Sequence, residues 1–353
     1  MYFFEEEVFY PFLNIYKNMS GFFPAEWAAQ RFVQLTWPHE NTDWYYMLDE
    51  VTECFVQIAR QISLREPLLI VTPNPDGVRE RISPYVNMQN VTFAEVDTND
   101  TWARDHGGIT IFEDDNPVIL DFQFNGWGLK FPADKDNLIT EKLHKSGYLF
   151  GELKNCRGFV FEGGSIESDG EGTLLTTSEC LLSPNRNAQL SKIEIEQYLI
   201  NTLHAKRVLW LENGFLQGDD TDSHIDTLAR LCPNSTIVYV QCKDEEDIHY
   251  EALAKMEQEL KAFRTLGGEP YRLLPLPMAL PAYEGDERLP ATYANFLIIN
   301  GAVLVPVYGT ERDEDALRVM RIAFPDREIV PINCSVLIRQ HGSLHCVTMQ
   351  YPK

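Results

Sequence analysis

The chain has 353 residues of which 44% are hydrophobic, enough to build one large α/β domain or two ordinary ones. Its formal charge of -23, with lysine and arginine nowhere clustered, argues against nucleic acid as a partner and suits a cationic substrate. No span has the length and apolarity of a membrane helix.

Met1 to Met19 is rich in aromatic residues but carries Glu5, Glu6 and Glu7 and lacks a basic start followed by an apolar run, so it does not read as a signal peptide. Residues 1–23 are expected to be an N-terminal extension of one catalytic domain. Short apolar or alternating runs predict strands over Leu68 to Thr72, Val91 to Val96 and Val118 to Phe124. Ile166 to Leu175 brackets a turn at Asp169-Gly170. Ser191-Lys192-Ile193-Glu194 is a capping box, after which Ile195, Leu199 and Leu203 share one face of a helix ending near His204. A strand over Ile237 to Gln241 precedes a helix from Glu246, with Leu253, Met256, Leu260 and Phe263 at helical spacing until Gly267-Gly268. Leu274 to Pro290, rich in proline, is the best candidate for a long surface loop acting as a lid. Asn300-Gly301 marks a tight hairpin, Glu311 to Ala323 a helix, and Glu328 to Ile332 and Leu344 to Gln350 two further strands. The order helix, strand, hairpin thus recurs without exact sequence repetition, and no long linker divides the chain.

The seven cysteines (Cys54, Cys156, Cys180, Cys232, Cys242, Cys334 and Cys346) include no C-x-x-C pair, so reduced thiols in the cytoplasm fit better than a zinc knuckle or a disulfide framework. An isolated cysteine is normally an inert small hydrophobe. Cys346 has a different setting: it follows the turn His341-Gly342-Ser343, and Thr348 and Gln350 fall on its face of the predicted strand. His224 lies in the acidic, turn-prone run Gly218 to Asp226. A solvated loop and a metal ligand are the competing readings there, but no second histidine is spaced for a metal, and a base beside carboxylates suits a thiol enzyme. Asp105 follows Trp102 and reads either as a turn cap or as half of a cation site, in which a carboxylate bonds a planar guanidinium against an aromatic face. Glu162 precedes Gly163-Gly164, which permit close backbone approach.

These pieces, with Pro24-Ala25-Glu26-Trp27, Trp37-Pro38-His39, Gly170-Glu171-Gly172-Thr173 and Asn295, together resemble the agmatine deiminase and bacterial peptidyl-arginine deiminase family of the guanidine-modifying (pentein) superfamily. The resemblance implies a five-bladed α/β propeller with pseudo-fivefold arrangement and a central active-site channel. It implies that Cys346 attacks the guanidinium carbon, that Asp105 and Asp226 grip the guanidinium beside Trp102, that Glu162 orients substrate and His224, and that His224 moves the protons. A small cationic guanidine is the expected partner, no metal or organic cofactor is needed, and a homo-oligomer is compatible with this reading. Where the agmatine subgroup has a glycine run, this chain has Arg339-Gln340-His341-Gly342-Ser343. The distal amine of agmatine would want a carboxylate such as Asp220 or Asp222. Arginine or peptidyl-arginine is the alternative substrate. An amidinotransferase or a non-catalytic pentein binding module ranks lower, the latter because such modules lack the thiol and the gripping carboxylates.

Overall fold

The computed structural model describes residues 21–353. The reading of Met1 to Met19 lies outside the described residues. The last part of the expected extension is not an appendage, because Gly21–Phe22 pairs antiparallel with Ile109–Glu113 at a sheet edge.

The strands form five sheets of three or four strands and one two-stranded ribbon, and none of them closes on itself among the described residues. Each larger sheet contains the same unit, in which an antiparallel pair is followed by a helix and then by a strand that returns parallel to the second member. The parallel return is what demands the helix, since parallel neighbours cannot be joined by a tight turn. In the first unit Thr348–Pro352 pairs with Gln30–Thr36, and helix Leu48–Ser63 leads to Leu68–Thr72. The second runs Ile109–Glu113, Asn116–Gln123, helix Ile139–Lys145 and Glu152–Val160. Glu167–Ser168, Thr173–Thr177, helix Lys192–Thr202 and Arg207–Leu211 make the third. The fourth is Ala229–Cys232, Thr236–Gln241, helix Tyr250–Ala262 and Arg272–Pro277. Leu297–Ile299, Ala302–Val307, helix Asp313–Ala323 and Glu328–Asn333 complete the fifth.

Helices also tie successive units together. Tyr250–Ala262 packs on its own sheet and on Arg207–Leu211 of the third unit, Asp313–Ala323 on Arg272–Pro277 of the fourth, and Leu48–Ser63 on Glu328–Asn333 of the fifth. Between the third and second units, Tyr198 stacks on Phe159 with ring centroids 4.2 Å apart. The first sheet joins the C-terminal strand Thr348–Pro352 to Gln30–Thr36, near the start of the described chain.

The capping box at Ser191 forms as expected, with the Ser191 hydroxyl and the Glu194 carboxylate each bonding the other's backbone amide. The Asn300-Gly301 hairpin also forms, with Ile299 opposite Ala302 and Gly301 at φ 77°. Helix Leu48–Ser63 was missed, although Val51, Phe55, Ile58 and Ile62 trace its buried face. Two readings need correction. Leu274 to Pro290 is not a structureless loop, because its first part is the parallel strand Arg272–Pro277 and the rest holds the ribbon Ala282–Glu284 with Glu287–Leu289. The final strand begins at Thr348, not Leu344, so Cys346 sits in the preceding turn. Thr348 holds that turn through its hydroxyl, which donates to the carbonyls of Leu344 and His345 at 3.3 and 3.0 Å.

Candidate active site

The candidate residues converge because all five units place them alike, in the connection just before the unit's first strand. Cys346 precedes Thr348–Pro352, Asp105 precedes Ile109–Glu113, Glu162 precedes Glu167–Ser168, His224 and Asp226 precede Ala229–Cys232, and Asn295 precedes Leu297–Ile299. Direct bonds join these connections: the Arg104 amide donates to the Cys346 carbonyl at 3.1 Å, and Asn295 Oδ1 accepts from the amides of His345 and Cys346 at 2.8 and 3.3 Å.

Cys346, 5% exposed, lies on the wall of a cavity with Trp102, Asp105, Trp127, Asp220 and His341. Its Sγ stands 3.4 Å from Asn295 Oδ1 and 4.0 Å from Asp226 Oδ2. Burial pushes the thiol well above its ordinary value, and the nearby charges of Asp226 and Asp105 push the same way. The resting sulfur is therefore a neutral thiol.

Asp105 accepts from the Gly164 amide and from Trp127 Nε1, both at 2.9 Å. Burial raises its pKa to about 6 despite the attraction of His224, with Asp226 and Glu162 adding like-charge repulsion. His224 lies 3.6 Å from Asp105 Oδ1 and 3.5 Å from Glu162 Oε2, yet neither ring nitrogen has a hydrogen bond. Burial lowers its basicity, but Asp105 and its other neighbours outweigh that and hold the imidazole well above its usual range. Glu162 is fully buried; burial pushes it up, and His224 with Arg186, whose Nε lies 2.8 Å from Oε2, brings it below the usual carboxylate value. Asp226 is likewise raised by burial and lowered more by His345, whose Nδ1 is 2.7 Å from Oδ2. Its Oδ1 is buried without a partner. Glu162, His224 and Asp226 do not line that cavity; they are buried directly against Asp105 and Cys346.

Gly164 explains why this packing needs a glycine. A Cβ there would stand 2.6 Å from His224 Nδ1, 2.8 Å from Asp105 Oδ1 and 3.2 Å from Asp226 Oδ2, so a side chain would occupy the point where three functional groups meet. Gly342 does the same for Trp102, whose ring would lie 2.1 Å from an added Cβ.

Asp220 and Asp222 separate clearly. Asp222 bonds Lys130 Nζ and Arg186 Nη1, each at 2.6 Å, and is thereby occupied. Asp220 faces the cavity, with His341 Nδ1 3.9 Å away and Nδ1 itself 2.6 Å from the Gly218 carbonyl oxygen.

Sequence reasoning missed Trp127, Arg186 and Cys180. Trp127 had a signal, a bulky residue between Gly126 and Gly128; its φ of 55° is an unusual backbone state that aims the indole N–H at Asp105. Arg186 and Cys180 had none, since only the fold brings them to Glu162. Glu162, Cys180 and His224 place ligand atoms within 4.8 Å of one another, a spacing a metal ion could use. The Arg186 guanidinium already bonds both oxygens of Glu162, which opposes a second cation there.

The sequence pattern of the Porphyromonas-type peptidyl-arginine deiminase family matches residues 22–352. A Legionella pneumophila protein named "Putative agmatine deiminase" is 33% identical over 350 residues, covering 97% of this chain and 98% of the relative. The crystal structure of the "Putative Arginine Deiminase" from Porphyromonas gingivalis is 56% identical, with a TM-score of 0.90 over 95% of this chain and 99% of that one. A C. jejuni agmatine deiminase with substrate bound is 40% identical, with a TM-score of 0.90 over 96% and 98% of the two chains.

Proposed function

This chain belongs to the Porphyromonas-type peptidyl-arginine deiminase family and is a hydrolase of guanidino carbon–nitrogen bonds, and from that premise we propose that it is an agmatine deiminase. Agmatine and water become N-carbamoylputrescine and ammonia through a covalent amidino-cysteine at Cys346. In the same reading the five repeated units are the blades of a propeller, one catalytic domain in a cytoplasmic setting, with the cavity along their common axis. The recurrence of a functional residue before the first strand of every unit supports that arrangement.

The chemistry follows from the charges. Burial, with repulsion from Asp226 and Asp105, keeps Cys346 protonated; a guanidinium entering past Trp102 offsets those two carboxylates, so binding favours loss of the thiol proton to solvent and creates the nucleophile where it is needed. Sulfur attacks the central carbon while the carboxylates fix the plane of the cation. His224, held as imidazolium by Asp105 and Glu162, protonates the departing nitrogen, and the carbon–nitrogen bond breaks to release ammonia. The now neutral imidazole takes a proton from water, whose oxygen attacks the amidino carbon; the carbon–sulfur bond then breaks as the new hydroxyl gives up its proton and becomes the product carbonyl, and that proton returns to the departing thiolate.

The observation that carries agmatine is the acidic rim of the Cys346 cavity. Asp43 and Asp220 line it against one lysine, Lys135, which suits a distal ammonium and opposes the carboxylate of free arginine, while burial raises Asp100 and Asp136 beside them to about 7. Asp220, whose carbonyl oxygen accepts from Lys130 Nζ at 2.6 Å while its carboxylate faces the cavity, is the proposed partner of that ammonium. Free or peptidyl-arginine is the second reading, favoured by the name of the P. gingivalis structure at 56% identity. Assay of the purified protein with agmatine, arginine and an arginine peptide decides: carbamoylputrescine formed in preference to citrulline supports the proposal, and the reverse preference replaces it.

A further inference from the structure

The residues next to the proposed catalytic groups face the opposite way. Arg104 adjoins Asp105 and His345 adjoins Cys346, yet both line a second cavity behind the site with Glu26, Glu167 and Gln350. Arg230, fully buried, anchors this rear layer. Its Nη1 donates to the carbonyls of Ala294 and Phe296 at 3.0 and 2.7 Å, its other nitrogens bond Glu167 and Glu26, and its plane covers the Phe296 ring.

His345, 1% exposed, joins the rear layer to the front. Its Nε2 is 3.2 Å from Arg230 Nη2, and its Nδ1 is 2.7 Å from Asp226 Oδ2. A guanidinium only donates, so Nε2 accepts; the ring proton then resides on Nδ1 and is donated to Asp226. Glu26 Oε1 is 3.3 Å from the same Nε2 but already accepts from Gln350 Nε2 and the Ile298 amide. One oxygen of Asp226 is thereby fixed while the other, Oδ1, is buried and bare.

We propose that His345 is a positioning residue for guanidine hydrolysis: as a neutral Nδ1–H imidazole braced by Arg230, it fixes the Asp226 carboxylate with Oδ1 presented to the substrate. This rests on reading Asp226 as a guanidinium ligand. Neutrality matters, because an imidazolium would cancel the charge that Asp226 offers. Burial, followed by Arg104 and Arg230, lowers the affinity of His345 for a second proton, in agreement with the geometry.

The test uses the full chain with Cys346→Ala, which is expected to bind agmatine without turnover, and calorimetry to read Kd. Asp226→Asn comes first: if it leaves Kd unchanged, the reading of Asp226 itself fails. If it weakens binding, His345→Ala is expected to raise Kd by about 10-fold to 100-fold, the range for a hydrogen bond to a charged group. His345→Asn, whose amide can take the Nδ1 position, should recover most of the loss, and His345→Gln less. Adding His345→Ala to Asp226→Asn should cost nothing more. Equal Kd values for His345→Ala and its parent, or an unchanged His345→Ala penalty without Asp226, would overturn the proposal. Should the His345 variants fail to fold, histidine nitrogen NMR of the Cys346→Ala chain decides. A neutral Nδ1–H ring near pH 7 supports the assignment, and an Nε2–H ring or an imidazolium sinks it.

Discussion

The layer around His224 and Asp226, next to Cys346, and the rear layer around Arg230 contain the same kinds of charged groups in opposite states. In front, His224 has no hydrogen bond at either nitrogen, its carboxylate neighbours stand 3.5 and 3.6 Å off, and Asp226 Oδ1 has no partner. Behind, Arg230 spends its donors on Glu26, Glu167, two backbone carbonyls and His345, and Arg104 bonds Gln350. A buried polar atom without a hydrogen bond costs stability, and a fully bonded charge gives a rigid frame. The contrast assigns the cost to the place where a cation is to be bound and the rigidity to the groups that hold that place open.

The sharpest break of this contrast is at sulfur. Cys346→Ser is expected to lower ammonia release from agmatine by on the order of 10⁴-fold or more, with the fold intact by circular dichroism. Next come paired substitutions, one in each layer. Asp226→Asn should lower kcat/KM by about 10²-fold to 10³-fold with only a small fall in Tm, because the amide oxygen can still accept from His345 Nδ1. Arg230→Met should instead lower the unfolding free energy by about 3–5 kcal/mol in denaturant titrations, since it strands Glu26 and Glu167. Equal destabilisation by the two would erase the distinction. At the rim, Asp220→Asn is expected to raise KM for agmatine about 10-fold with little change in kcat, which steady-state assays would read directly.

The smallest effect is one of shape. The thiol must lose a proton, so kcat/KM should rise with pH, and His224 must keep one, so it should fall again at higher pH; both values are raised, which puts the maximum on the alkaline side of neutral. Protonation of Asp105 near about 6 should steepen the acid limb, because a neutral carboxyl grips a cation less. A flat profile through neutrality, or an acidic maximum, contradicts the protonation states argued for the front layer.

Legibility in the sequence followed the range of the causes. The capping box at Ser191 and the hairpin at Asn300-Gly301 depend on adjacent residues and could be read directly. Asp105, Glu162, His224, Asp226 and Cys346 could be named because each sits in a short segment of turn residues, although their meeting point depends on the repeat of units. The extent of the last strand was misjudged, since Thr348 folds back on Leu344 and His345 and takes Cys346 out of the ladder. Leu274 to Pro290 looked like a loop because of its prolines; Pro275 and Pro277 instead lie in the third, outer strand of their sheet, where a missing N–H is tolerated. Arg186 and Arg230 could not be found by local pattern, as their partners lie far away in sequence.

The most direct measurement is acid quenching of the protein during turnover of agmatine, followed by mass analysis of the intact chain and its peptides. The account predicts ammonia release together with an amidino adduct on the peptide that contains Cys346, absent in Cys346→Ala. Ammonia release that persists in Cys346→Ala, or an adduct mapped to another residue, would contradict it.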